Sequence, residues 1–96
     1  MTSLWVREIR RHRIVRSETA PLADDASLLD VLGALCARMD VPRPLFLAKH
    51  AREWAQFGQT FFSPDHFVES VSFDRLEIER IDPDAKKARS SDPRNG

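Results

Sequence analysis

The stretch from Ala51 to Ile81, AREWAQFGQTFFSPDHFVESVSFDRLEIERI, constrains the fold more than any other part of this chain. Gly58 stops a helical pattern, because glycine enters the left-handed region without a Cβ penalty. Five residues later, Ser63-Pro64-Asp65 sets a capping residue before a proline at the first helical position, which is a start signal. Leu76 and Ile78 then alternate with Arg75, Glu77 and Glu79, the pattern of a strand with one buried face and one wet face. Six large rings, Trp54, Phe57, Phe61, Phe62, Phe67 and Phe73, crowd the same region. One short helix cannot bury them alone, so they are expected to tie a loop onto a sheet or to leave a contact patch outside.

The rest of the chain completes the layer. Residues 4–19, LWVREIRRHRIVRSET, are rich in β-branched and aromatic residues and predict strands at about 4–10 and 13–19. The turn near Arg11-His12-Arg13 lacks the Asn-Gly or Asp-Gly of a secure tight hairpin, so one long bent strand is the alternative. Pro21 and Asp24-Asp25 announce a helix over about 25–39. Asp25 or Ser27 can cap it, with Asp30 placed as in a capping box. Leu28, Leu32, Leu35, Cys36 and Met39 form its apolar stripe, which Leu29 and Val31 widen. Pro42 and Pro44 impose an extended link. A second helix is predicted over about 48–57, with Leu47, Ala51, Trp54 and Ala55 on one face. Phe61-Phe62 is too short to be an element of its own. A helical turn over about 64–69 and a strand over about 73–81 follow.

This order predicts an α+β fold, a small antiparallel sheet covered on one face by two helices. The third strand is set beside the first, so that Leu76 and Ile78 lie beneath the first helix. Residues 1–82 are read as one domain and 83–96, without a large apolar side chain, as a disordered tail.

Several function classes are disfavoured. Ninety-six residues bury one thin core, leaving little room for an enclosed substrate cavity. Fifteen basic and fifteen acidic residues cancel, so no global charge draws the chain to nucleic acid or to an anionic membrane. The single Cys36 excludes an internal disulfide and a thiolate zinc cluster; on the apolar stripe it is expected to act as a small hydrophobe. No secretory signal and no membrane span are evident, which points to the cytoplasm. No glycine-rich phosphate loop, nucleophile elbow or paired-carboxylate motif is present, and no cofactor is predicted.

Local patterns leave three openings. Arg7, Arg10, Arg11, Arg13 and Arg16 make a basic block that could lie on phosphates, or be neutralised by the acidic segment holding Glu77 and Glu79. Trp5, Phe61 and Phe62 are candidate contacts for a protein partner or a second copy, since aromatics anchor interfaces. His50 and Glu53, with His66, could form a metal or acid–base site, for which spacing fixes no third ligand; two polar side chains on the solvent-facing side of a helix account for the pair without one.

Glu53, Trp54, Phe57, Gly58, Thr60, Phe62, Pro64, Asp65 and Phe67, followed by Phe73, Asp74, Arg75, Glu77, Ile78 and Glu79, fit a recurring pattern. It reads E-[FW]-x-x-F-G-x-T-x-F-x-P-D-x-F, then F-D-R-x-E-I-E. This resembles a family of short bacterial proteins of unknown function, with the likeness spanning roughly residues 4–82. The resemblance implies a stand-alone bacterial domain and carries no activity or site residues. The leading expectation is a non-catalytic protein-interaction domain. Nucleic-acid binding through Arg7–Arg16 is the alternative, and a small metal-dependent hydrolase a distant third.

Overall fold

The computed structural model describes residues 2–82. The predicted tail, 83–96, lies outside the described residues.

Two strands open the chain, β1 (Ser3–Arg10) and β2 (Arg13–Pro21). They form a true hairpin, with Arg11 and His12 both left-handed (φ 55° and 65°), as a two-residue turn matching the strand twist requires. Neither residue is glycine, so the turn is strained. Asp74 offsets the strain: its Oδ2 accepts the Arg11 N–H at 2.7 Å, and its own N–H donates to the Ile9 carbonyl at 2.8 Å. Replacing the turn by Arg11→Asn with His12→Gly is expected to stabilise the protein by about 1–2 kcal/mol. A higher urea midpoint with an unchanged slope would confirm it.

A 3₁₀ turn (Asp25–Ser27) leads into α1 (Leu28–Met39). The expected Ser27–Asp30 capping box does not form, and Ser27 makes no side-chain cap. Asp24 serves instead, its Oδ1 accepting both the N–H and the hydroxyl of Ser27 at 3.0 Å. The stripe Leu28, Leu32, Leu35, Cys36 and Met39 is buried as the period demands, whereas Leu29 is exposed. Burial pushes the Cys36 thiol up to about 11, against the opposing charge of Arg43, so it is held as a neutral thiol.

The second helix, α2 (Ala48–Phe57), ends at Gly58 (φ 70°), the left-handed stop. Its buried face differs from the expected one. His50 and Trp54 point inward, while Leu47, Ala51 and Ala55 are exposed. The helix therefore packs by its 50–54 ridge, one turn-edge away from the alanine face.

The largest correction concerns Gln59–Phe62, which forms a strand, β3. Four residues suffice because the partner strand, β4 (Arg75–Ile81), supplies the other half of the ladder. Between them, the predicted helical turn shrinks to a 3₁₀ turn over Pro64–His66. The sheet is antiparallel throughout, in the order β2-β1-β4-β3. The pairing of the last strand with the first is as expected, and Leu4, Val6, Leu76 and Ile78 line its helix-facing side. The fold is α+β, with four strands rather than three.

Candidate functional site

The alternation of β1 gives the sheet a second face, turned away from the core side and uncovered except where α2 borders it at the β3 edge, and the register builds rows across it. Thr19, Trp5, Glu79 and Gln59 stand side by side on successive strands, as do Ser17, Arg7, Glu77 and Phe61. Arg7 organises this face. Its Nε donates to Glu77 Oε1 at 2.6 Å and a terminal nitrogen donates to Glu79 Oε1 at 2.9 Å. Arg75 Nε adds a bond to the other Glu77 oxygen at 2.5 Å.

Burial works against charge at both partners, and the ion pairing overcomes it. The Arg7 guanidinium is held above its ordinary value by Glu77 and Glu79, and Glu77 below the usual carboxylate range by Arg7 and Arg75. Cations also cover the rings. The Arg7 guanidinium carbon lies 4.3 Å from the Trp5 ring centre, and Arg75 and Lys49 lie 5.6 and 5.9 Å from that of Phe61. Phe61 is 44% exposed. Beside it a groove of about 300 Å³ is lined by Glu53, Phe57, Gln59 and Thr60. That is the small end of the roughly 300–1,000 Å³ of ligand pockets.

The aromatic candidates thus separate. Trp5 and Phe61 lie on the uncovered face, whereas Phe62 points the other way and is 0% exposed. Phe62 is removed from the set of surface contacts, because adjacent strand residues face opposite sides.

The basic block is largely neutralised. Arg10 donates to Glu8 Oε2 at 3.2 Å and to Ser72 Oγ at 2.9 Å. Arg16 donates to the Met39 carbonyl and sits 3.8 Å from Glu8 Oε1. Among the described residues, only the Arg11 and Arg13 side chains, at the hairpin tip, are left without an acidic partner in this block. Glu8 was not legible as a buried group. It occupies a core-facing position on β1 and is 3% exposed, tolerated there because Arg10 and Arg16 fold over it.

The histidines have structural roles. Leu47 N–H donates to His50 Nδ1 at 2.9 Å and Ser63 N–H to His66 Nδ1 at 3.1 Å, so each ring caps the turn it starts. A ring whose Nδ1 accepts carries its proton on Nε2 when neutral. The two rings meet edge to face at 4.7 Å. His50 is fully buried, not a surface residue, and its Nε2 has no well-formed hydrogen bond; the Phe61 backbone nearby favours its protonation without reaching that geometry. Glu53 turns elsewhere, accepting the Thr60 hydroxyl at 2.5 Å. Among the described residues no three His, Cys, Asp or Glu side chains converge as metal ligands.

No helix among the described residues is long and apolar enough to cross a membrane. No family model, curated protein or solved structure matches the chain.

Proposed function

We propose that this chain is a non-catalytic protein-interaction domain whose contact surface is the uncovered sheet face, with Trp5 and Phe61 as its anchors. The observation that carries this reading is the arrangement of that face. Two rings are held in place by cations, and the charges around them are already paired within the chain. A partner laid on such a face covers aromatic surface without having to satisfy a bare buried charge, the costly part of polar association. The groove beside Phe61 is suited to one side chain of a partner rather than to an enclosed substrate.

A photo-reactive phenylalanine analogue placed at Phe61, and a control at the exposed Val68, test this in living cells. Protein adducts are expected from position 61, few from position 68, and at least a tenfold loss of adducts when Trp5→Ala is added. No protein adduct at position 61 overturns the reading. Adducts to nucleic acid, lost on neutralising Arg11 and Arg13, favour the basic hairpin tip instead.

A further inference from the structure

We propose that the β2 edge pairs with the β2 edge of a second copy of this chain, continuing the sheet through a two-fold axis at Ser17. The inference rests on reading the chain as an interaction domain, but not on the uncovered face being the contact.

The sheet has two edges, and they differ. At one, β3 is four residues long and lies beside α2. At the other, β2 runs nine residues and most of its side chains are exposed. The Leu22 N–H bonds the Thr2 carbonyl at 2.9 Å, which fixes the alternation of the ladder. Residues 20 and 18 therefore bond across to residues 4 and 6, and Ser17 and Thr19 turn their N–H and C=O groups outward. Pro21 falls at an outward position, where its missing N–H costs the β1–β2 ladder nothing. At the other end Val15 is the extra residue of a bulge, since Glu8 pairs with Arg16 and Ile9 with Ile14. These two devices limit the free edge to a short window around Ser17.

Within that window the sequence is self-complementary. An antiparallel copy centred on Ser17 sets Ser17 against Ser17, Arg16 against Glu18, and Val15 against Thr19. Arg16 and Glu18 share the helix-facing side, with side chains 52% and 36% exposed. Glu18 already holds Arg38 at 3.1 Å, so the incoming arginine would complete a chain of alternating charges on each side of the axis. Shifting the register by two residues destroys the match. An isologous contact of this kind uses the same patch on both copies and closes as a dimer, with no β2 edge left to propagate and the short β3 edge at each end lying beside α2. The pairing covers less than the roughly 800 Å² per partner of a standard interface, so association is expected to depend strongly on concentration.

Cysteine substitution tests the axis directly. Residues paired through hydrogen bonds across antiparallel strands have Cα atoms about 5.5 Å apart, within the range of a disulfide. Ser17→Cys is expected to cross-link the protein under mild oxidation, and Thr19→Cys is not, because its opposite number is Val15. The native Cys36 is buried and does not compete. Sedimentation equilibrium from about 1 μM to about 1 mM should show a dimer that Glu18→Arg, which sets two arginines face to face, weakens by tenfold or more. Glu18→Arg changes an exposed pair, and its helical and sheet content by circular dichroism verifies that it folds. A monomer throughout that range overturns the dimer while leaving the Phe61 adducts to judge the interaction reading. A dimer that Ser17→Cys does not cross-link, or that Glu18→Arg leaves intact, overturns the β2 pairing.

Discussion

Phe62→Ala is expected to lose about 3–5 kcal/mol of stability, whereas Phe61→Ala, next to it, is expected to change stability by less than about 1 kcal/mol. Phe62 is the ring on which the C-terminal half of the core converges. Its centre lies 4.4 Å from that of His50, 6.0 Å from Phe46 and 6.5 Å from Phe67. Truncation removes the buried ring and leaves a cavity bordered by α2, the link before it and the 3₁₀ turn after β3, none of which collapses easily. Such a loss is about a fifth or more of the roughly 5–15 kcal/mol that a domain commands. Phe61 gives up mostly solvated surface. Urea unfolding of the two variants checks the contrast. Equal midpoints would mean that β3 is out of register by one residue, since a one-residue slip exchanges the two rings between faces.

Acidification is expected to erode stability from two separate onsets. Burial is the main cause holding His50 below its ordinary value, and the charges of His66 and Lys49 add to it against Glu53 and the Phe61 backbone. A base depressed in the folded state contributes stability that is complete above its unfolded value of about 6.5. As the pH falls below that value the unfolded chain takes up a proton that the folded chain refuses. Stability then declines by about 1.4 kcal/mol per pH unit until the folded ring is itself protonated. At that point the Leu47 N–H faces a protonated Nδ1 and the cap of α2 is lost.

The second onset lies lower, below about 4.5. Burial raises the Glu77 carboxyl, but hydrogen bonds from Arg7 and Arg75 outweigh it and hold the group below its usual range. Its contribution is present above the unfolded value and lost as the pH falls through the folded one. Urea midpoints measured from pH 7.5 to 3 should therefore begin a first step down below about 6.5 and a further one below about 4.5. His50→Gln keeps an acceptor for Leu47 and should remove only the upper step. Persistence of that step in His50→Gln would assign it to another group.

The legible and illegible parts of this structure divide by the range of the physics involved. Gly58, Pro64 and the stripe from Leu28 to Met39 act within one or two turns of chain, so their consequences could be read directly. The period-two pattern around Leu76 and Ile78 also named its own buried face. Phe61 and Phe62 could be recognised as a notable pair, but not as a strand. Four residues gain strand structure only from a partner, and β4 starts thirteen residues later. The same dependence hid which ring faces outward, because that follows from the register with β4. His50 read as one of the solvent-facing polar side chains of α2, since nothing local tells that the helix packs by its 50–54 ridge rather than by its alanines. Glu8 sat in a segment whose alternation was mixed, and a charge at a buried position there becomes tenable only when Arg10 and Arg16 close over it.

The sequence by itself determined the fold class, the order of the elements other than β3, the long helix α1 and the helix stop at Gly58. The tertiary structure alone decided which charges cancel and which rings lie outside. Arg7 meets Glu77 and Glu79 across seventy residues or more of chain, and only the β1–β4 ladder sets that encounter. Local propensities carry no record of such distant pairs. Contacts across the sheet therefore turned the aromatic and basic residues of Ala51–Ile81 and of the first hairpin into a core on one side and a candidate surface on the other.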